Sequence, residues 1–249
     1  MAEFRVVIPA RYASSRFPGK PLARLAGRPM IEHVHRCAVA SGAAEVIVAT
    51  DDGRIADAVR GFGGTVALTR ADHVSGTDRI AEVAAARGWP ADTIVVNVQG
   101  DAPLTPAASV LQVAALLAAH PRASMATLCV PVATPEDYAS PHVVKVVMDQ
   151  AGRALYFSRA SIPSAGHGST GLPGAWRHLG IYAYRCGELQ RLSAGQPCYL
   201  ETVEKLEQLR ALWMGMEIRI APAQEGHGPD VDTPSDLAAV EAWLAGRRG

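Results

Sequence analysis

The sequence predicts an α/β protein, a mostly parallel sheet with helices on both faces. Three observations carry that expectation. Short apolar runs alternate with helical patterns through the first half of the chain, as βαβ repetition requires. One run, Thr93–Val98, is almost wholly apolar, which suits a strand buried on both faces. The first run, Phe4-Arg5-Val6-Val7-Ile8, breaks at Pro9 into a long loop, and an open α/β sheet binds its ligand at the carboxyl end of such a strand.

That first loop, Ala10–Pro21, holds Arg11, Arg16 and Lys20, so its ligand is expected to be anionic. Ser14, Ser15 and Gly19 would let backbone N–H groups approach phosphate oxygens. The loop does not follow the Gly-x-x-x-x-Gly-Lys-Ser/Thr pattern, so it is not a P-loop of the usual kind. A helix over Met30–Ala40 follows Gly27-Arg28-Pro29, with Pro suited to a first helical turn. Glu45–Ala49 reads as the second strand, ending in Thr50-Asp51-Asp52-Gly53, and Thr65–Leu68 as a shorter third. Helices are expected over Ile55–Phe62, Asp78–Arg87 and Ala107–His120.

The pattern changes after about Ser124. Val143–Met148, a turn at Asp149-Gln150-Ala151-Gly152, and Ala154–Phe157 predict a hairpin-like excursion. Ser164–Gly174 is rich in Gly, Ser and Pro and reads as a loop, and Leu179–Tyr184 returns as a strand. The apolar face Val203, Leu206, Leu209, Leu212 predicts one helix over Thr202–Met214. A strand at Glu217–Ile220 precedes Thr233-Pro234-Ser235-Asp236, where a cap, a Pro and an acid open a last helix. The expected organisation is one domain over residues 1–249. Its core is drawn from about 1–130 and 186–249, with an arm at about 131–185.

Composition excludes several classes. Of 249 residues, 24 are Lys or Arg and 24 are Asp or Glu, so no electrostatic footprint for nucleic acid exists. No apolar run reaches the ~18 residues of a membrane span, and the first strand follows Met1 too closely for a signal peptide, so a cytoplasmic protein is expected. Cys37, Cys129, Cys186 and Cys198 form no Cys-x-x-Cys pair and read as free thiols. The eight histidines suggest no metal cluster, and no Gly-x-Ser-x-Gly elbow is present. Basic residues are nearly all Arg; Lys occurs only at Lys20, Lys145 and Lys205, which makes each of those three worth following.

Two carboxylates stand at turns. Asn97-Val98-Gln99-Gly100-Asp101-Ala102-Pro103 would deliver Asp101 from a buried strand into a tight turn. A hard oxygen placed there suits Mg²⁺, which takes one or two carboxylates plus phosphate oxygens and water. Asp232, in Pro229-Asp230-Val231-Asp232-Thr233-Pro234, is the natural second ligand. Turn formation explains either residue equally well when taken alone. Ser75-Gly76-Thr77-Asp78-Arg79 could hold a phosphate or a base edge at a helix start, or simply cap that helix.

Taken together these segments resemble the CMP-KDO synthetases, the 3-deoxy-manno-octulosonate cytidylyltransferases. The resemblance runs over nearly the whole chain. It rests on Ile8–Leu22, on Val48-Ala49-Thr50-Asp51-Asp52, on Ser75–Arg79 and on Val96–Asp101. It continues through Leu155-Tyr156-Phe157-Ser158-Arg159-Ala160, His178–Arg185, Leu206-Glu207-Gln208-Leu209-Arg210 and Val231–Pro234. It implies a Rossmann-like nucleotide-diphospho-sugar transferase fold, CMP transfer from CTP to an acid with release of pyrophosphate, a need for Mg²⁺, and a homodimer formed through the arm. By that likeness Arg11 and Lys20 hold the triphosphate and, with Asp101, carry the chemistry, while Asp101 and Asp232 hold Mg²⁺. Pro9, Ala10, Ser14, Ser15, Asp51, Ser75, Gly76, Thr77 and Arg79 complete the nucleotide side. Gln99, Arg159, His178, Tyr182, Glu207 and Gln208 face the acceptor. Asp101 or a metal-bound route is the expected means of deprotonating the nucleophile.

The sequence departs from the family around the acceptor. Ala102 stands where the family usually has Glu, Ser164 where it has Trp after Ile-Pro, and Asp230 where it has Gly. Two acceptors therefore fit, KDO and a smaller acid such as the phosphonate phosphonoformate. Sialic acid fits the motifs less well. A non-catalytic nucleotide-binding relative is disfavoured by the presence of Arg11, Lys20, Asp101 and Asp232.

Overall fold

Phe4–Pro9 forms β1, which is flanked by parallel neighbours on both sides and places its carboxyl end at a point where the strand order reverses. The structure, a computed structural model, describes residues 3–13, 17–164, 166, 172, 174–229, 231 and 233–246. After β1 come a 3₁₀ turn (Lys20–Leu22) and a small hairpin, β2 (Arg24–Leu25) and β3 (Arg28–Pro29). The repeat then runs α1 (Met30–Ala40), β4 (Glu45–Thr50), α2 (Gly53–Gly61), β5 (Thr65–Leu68), α3 (Gly76–Ala86), β6 (Ile94–Asn97) and α4 (Ala107–Ala118), close to the sequence expectation.

The second half is β7 (Met125–Pro131), α5 (Pro135–Ala139), β8 (Lys145–Met148), β9 (Ala154–Ser158) and β10 (Trp176–Arg185). It ends with α6 (Cys186–Ala194), α7 (Tyr199–Glu204), α8 (Gln208–Trp213), β11 (Ile218–Pro222) and α9 (Pro234–Gly246). Sequence periodicity leaves β7, α5 and α6 unassigned. Among the described residues the main sheet has nine strands, with a spine ordered β11-β7-β10-β6-β1-β4-β5 and β8 and β9 attached beside β10. β10 is antiparallel to β6, β7 and β8, whereas β1, β4, β5 and β6 are mutually parallel. The expected arm thus shares a strand with the core: Trp176 and Arg177 of β10 pair with β8, while Tyr182–Arg185 lie between β6 and β7.

Both faces of the sheet are covered, as alternation on the central strands dictates. Phe4, Val6 and Ile8 of β1 pack with Ile31 and Val34 of α1, Val59 of α2 and Val113 and Leu117 of α4. Val7 of β1 and Val95 of β6 point the other way, into Ile80 and Val83 of α3, Leu189 of α6 and Leu209 of α8. Each such fully buried aliphatic side chain contributes about 1.5–3 kcal/mol. A third, smaller cluster joins Leu25, Met30, Leu104, Val231 and Val240, so α9 folds back and returns residue 231 to the carboxyl end of β1.

The predicted single helix over Thr202–Met214 is two helices, α7 and α8. The chain breaks at Lys205, whose backbone takes the left-handed conformation (φ 55°, ψ 46°). No Gly or Pro announces this break, and its cost of about 1–2 kcal/mol is offset by tertiary contacts. The Glu201 carboxylate accepts from Arg210 Nε at 2.7 Å across the corner, and Arg210 also donates to Gly195 O at 3.1 Å.

Candidate active site

Beyond the carboxyl ends of β1 and β6 lies a cavity of about 490 Å³. This is within the size range of small-molecule sites, roughly 300–1,000 Å³. Its floor begins with Pro9, Ala10 and Arg11, followed by Gln99, Gly100 and Asp101 at the end of β6. Gly100 is required by close approach: a Cβ there would lie 2.8 Å from Pro9 O. Lys20 is 8% exposed, and its Nζ donates to Asp101 Oδ2 at 2.6 Å and to Val231 O at 2.9 Å. Val231 N in turn donates to Asp101 O at 3.1 Å. Three segments far apart in the chain therefore meet at one ion pair, and the Asp101 side chain is 37% exposed. Asp232, the neighbour of Val231, lies outside the described residues, as do Ser14 and Ser15.

Ser75, Gly76, Thr77 and Arg79, all at the start of α3, line the same cavity. Ser75 is also the N-cap of α3, accepting from Asp78 N at 3.1 Å, so capping the helix and lining the cavity go together. Arg79 is buried and donates to the Thr69 hydroxyl and to Arg70 O, and its NH2 lies 3.4 Å from Asp51 Oδ2. Asp51 is not on the cavity wall. Its described partner is Arg79, which corrects the expectation of direct nucleotide contact: the carboxylate sits behind the guanidinium.

The expected acceptor side comes from β10 and the α7–α8 corner. His178, Tyr182, Glu207 and Gln208 all line the cavity. A bulge in β10 sets five of its residues, His178 to Tyr182, against three of β7, Cys129 to Thr127, and Gly180 supplies the positive φ (67°) that the bulge needs. The Thr127 hydroxyl donates to Ile181 O at 2.7 Å, so its one proton is used, and it accepts from His178 Nε2 at 2.8 Å. His178 is then the Nε2–H tautomer with Nδ1 as an acceptor. Burial pushes its imidazole down to about 3, so the ring is neutral at working pH. Burial also raises the Tyr182 and Tyr184 phenols, which stay protonated.

Glu207 accepts from the Thr77 hydroxyl at 2.8 Å, which ties the corner to α3. Its carboxyl is raised above the usual carboxylate range chiefly by burial, with Asp78 adding to the rise and the Thr77 bond opposing it. Arg159 is placed elsewhere. It is not on the wall, and its guanidinium donates to Glu204 O at 2.7 Å and Pro141 O at 2.9 Å. The expected acceptor contact is corrected to a backbone anchor. Sequence reasoning missed Asn97, Tyr184, His73 and Lys205 on the wall. Tyr184 could have been found, because it shares a strand face with Tyr182, and Lys205 by the scarcity of lysine. All three lysines collect here: Lys20 and Lys205 line the cavity, and Lys145 lies just behind it.

A family profile described as cytidylyltransferase matches residues 5–218. The chain belongs to the cytidylyltransferase family. It is a nucleotidyltransferase, with the nucleotide-diphospho-sugar transferase fold that the motifs imply. A curated 3-deoxy-manno-octulosonate cytidylyltransferase of Thioalkalivibrio sulfidiphilus is 55% identical, covering 97% of this chain and 98% of its own. One of the same description from Alkalilimnicola ehrlichii is also 55% identical, over 97% and 96%. Among solved structures, a CMP:2-keto-3-deoxy-manno-octonic acid synthetase complexed with CTP superposes with TM-score 0.91 at 42% identity, covering 99% of this chain and 100% of that one. Among the described residues no helix is long and apolar enough to cross a membrane.

Proposed function

We propose that the protein transfers CMP from CTP to 3-deoxy-manno-octulosonate and releases pyrophosphate. The carrying observation is that one cavity unites Arg11, Lys20 and Asp101 with His178, Tyr182, Glu207 and Gln208. The relatives' names favour this acceptor over a phosphonate. A hydroxyl oxygen of the acid bonds to the α-phosphorus. The bond from that phosphorus to the α–β bridging oxygen breaks, its electron pair leaves on pyrophosphate, and the hydroxyl passes its proton to the Asp101 carboxylate or to water. Arg11 and Lys20 face the triphosphate and offset charge that grows on the leaving group, while the floor of the cavity aligns donor and acceptor.

The donor set suits Mg²⁺. Asp101 offers a hard oxygen to the cavity. Mg²⁺ is commonly held in this way, by one or two carboxylates with phosphate oxygens and water completing the shell. Asp101 and Asp232 would hold it, and it would supply positive charge to the phosphates. His178, neutral and with Nδ1 accepting, suits a hydroxylated acid better than a general-base role would suit a ring held at about 3. A homodimer and a cytoplasmic location complete the reading. The exposed Leu155 on β9, a strand that among the described residues pairs in the sheet only with β8, supports a partner copy on the arm.

Pyrophosphate release from CTP and Mg²⁺ tests the reading. Release with 3-deoxy-manno-octulosonate and none with phosphonoformate or without acid is expected. Release with phosphonoformate alone would transfer the protein to the other acceptor, and no release with any acid would leave a binding protein.

A further inference from the structure

Lys145 has no solvent exposure at all, and the mechanism above does not use it. A buried ammonium must have its donors satisfied. Here all three are spent on backbone carbonyls: Ser140 O at 2.7 Å, Val143 O at 2.6 Å and Arg159 O at 2.7 Å. Glu204, the last residue of α7, reaches the same place. Its carboxylate accepts from Ser158 Oγ at 2.6 Å and from Arg159 N at 2.9 Å, and its own carbonyl accepts from Arg159 Nε at 2.7 Å. The segment 140–143, strand β8, the end of β9 and the end of α7 are thus joined in one polar knot.

Two features leave that knot for the cavity. Val144, between two of the held segments, lines the cavity and accepts from His178 N at 2.8 Å. On the other side Glu204 immediately precedes Lys205, the left-handed residue from which Leu206, Glu207 and Gln208 turn onto the wall. The helix break carries no Gly to favour it, so what holds it in register must come from outside the helix. The ion pair of Glu201 with Arg210 fixes the two helices to each other. The carboxylate of Glu204 fixes the corner to the sheet.

We propose that Lys145 and Glu204 are positioning residues for the acceptor acid. They set the Lys205–Gln208 corner and the Val144–His178 contact at one spacing, without touching either substrate. The inference rests on the reading that this wall takes the acid; the corner meets the nucleotide wall through the Thr77–Glu207 bond, so the effect of the knot on the nucleotide is expected to be the smaller one. A displacement of about 1 Å in a positioning group can cost up to 100-fold.

Steady-state kinetics on the full chain with 3-deoxy-manno-octulosonate and CTP test it, using Glu204→Gln, Glu204→Ala, Ser158→Ala and Lys145→Met. For Glu204→Ala, KM for the acid is expected to rise about tenfold while KM for CTP stays within about twofold. Glu204→Gln, which keeps one acceptor oxygen, should recover part of that loss. Ser158→Ala, a mild change that spares folding, should raise KM for the acid alone by about threefold. Should Lys145→Met not fold, Ser158→Ala and Glu204→Gln decide. Equal rises in both KM values, or lower kcat with both KM values unchanged, would reduce the knot to a stability element and overturn the proposal. A parent enzyme that releases no pyrophosphate with this acid would instead sink the functional reading.

Discussion

The wall that follows β1 and β6 differs from the wall made by β10 and the α7–α8 corner in where its rigidity comes from. The first is an extension of regular structure. Parallel strands end together, Gly100 lets two loops touch, and Lys20 is held between Asp101 and Val231. The second is made of irregularities: a bulge of five residues against three, and a helix broken at a left-handed lysine. In the proposed reading, regular structure makes the part of the site that meets a fixed ligand, the nucleoside triphosphate. Irregular structure lets side chains be aimed singly, as recognition of one polyhydroxylated acid demands. On the proposed assignment, the difference teaches that specificity depends on places where the backbone leaves its preferred conformation, and on the polar contacts that keep it there.

The largest expected effect falls on the regular wall. Asp101→Asn removes the carboxylate that pairs with Lys20 and is proposed to hold Mg²⁺, and kcat is expected to drop about 1,000-fold at saturating CTP and acid. Near-full turnover of that variant at saturating Mg²⁺ would erase the role given to Asp101. On the irregular wall Glu207→Ala should separate the two substrates, raising KM for the acid about tenfold with KM for CTP little changed. A parallel rise in KM for CTP would mean that the two walls are not functionally distinct.

The buried imidazoles give a smaller, pH-dependent effect. Burial holds His178 at about 3 and His227 at about 4, below the ordinary value of 6.5. The unfolded chain therefore binds more protons than the folded one through that interval. Their contribution is complete above about pH 6.5 and is lost as pH falls toward the folded values. The melting temperature should decline between about pH 7 and pH 5, and His178→Gln should decline less steeply. Identical slopes for parent and variant would show that His178 is not held neutral by the fold. The smallest effect concerns the break itself. Lys205→Gly relieves the left-handed conformation and should raise the unfolding free energy by about 0.5–1 kcal/mol in denaturant titration. A lower value would mean that the Lys205 side chain makes contacts worth more than the backbone strain.

Most of the fold was legible. The αβ alternation placed β1, β4, β5, β6 and the helices between them within a few residues, because buried strands and amphipathic helices leave periodic signatures. The β8–β9 hairpin followed from its apolar runs and the turn at Asp149–Gly152. These cavity-lining residues were legible for a related reason: Arg11, Lys20, Gln99, Asp101 and Ser75, Gly76, Thr77 and Arg79 sit in contiguous motifs next to strand and helix ends. The Thr202–Met214 stretch misled because its apolar spacing is the same whether one helix or two short ones bury it, and Leu206 and Leu209 are buried either way. Arg159 misled because a guanidinium near a site serves equally as a ligand for an anion or as a clamp on carbonyls. Only its neighbours decide, here Glu204 O and Pro141 O.

Local sequence was enough to determine the layered α/β architecture, the cationic character of the first loop and, through the resemblance its motifs carry, a nucleotide-transferring family, since each of these depends on residues close together in the chain. Tertiary structure alone decided that β10 runs antiparallel through the middle of the sheet, that Val231 returns to Lys20 and Asp101, and that the chain turns sharply at Lys205. Those features are bought by contacts between residues separated by tens to hundreds of positions. No local spacing encodes them, because the free energy that selects them exists only once the distant partners have met.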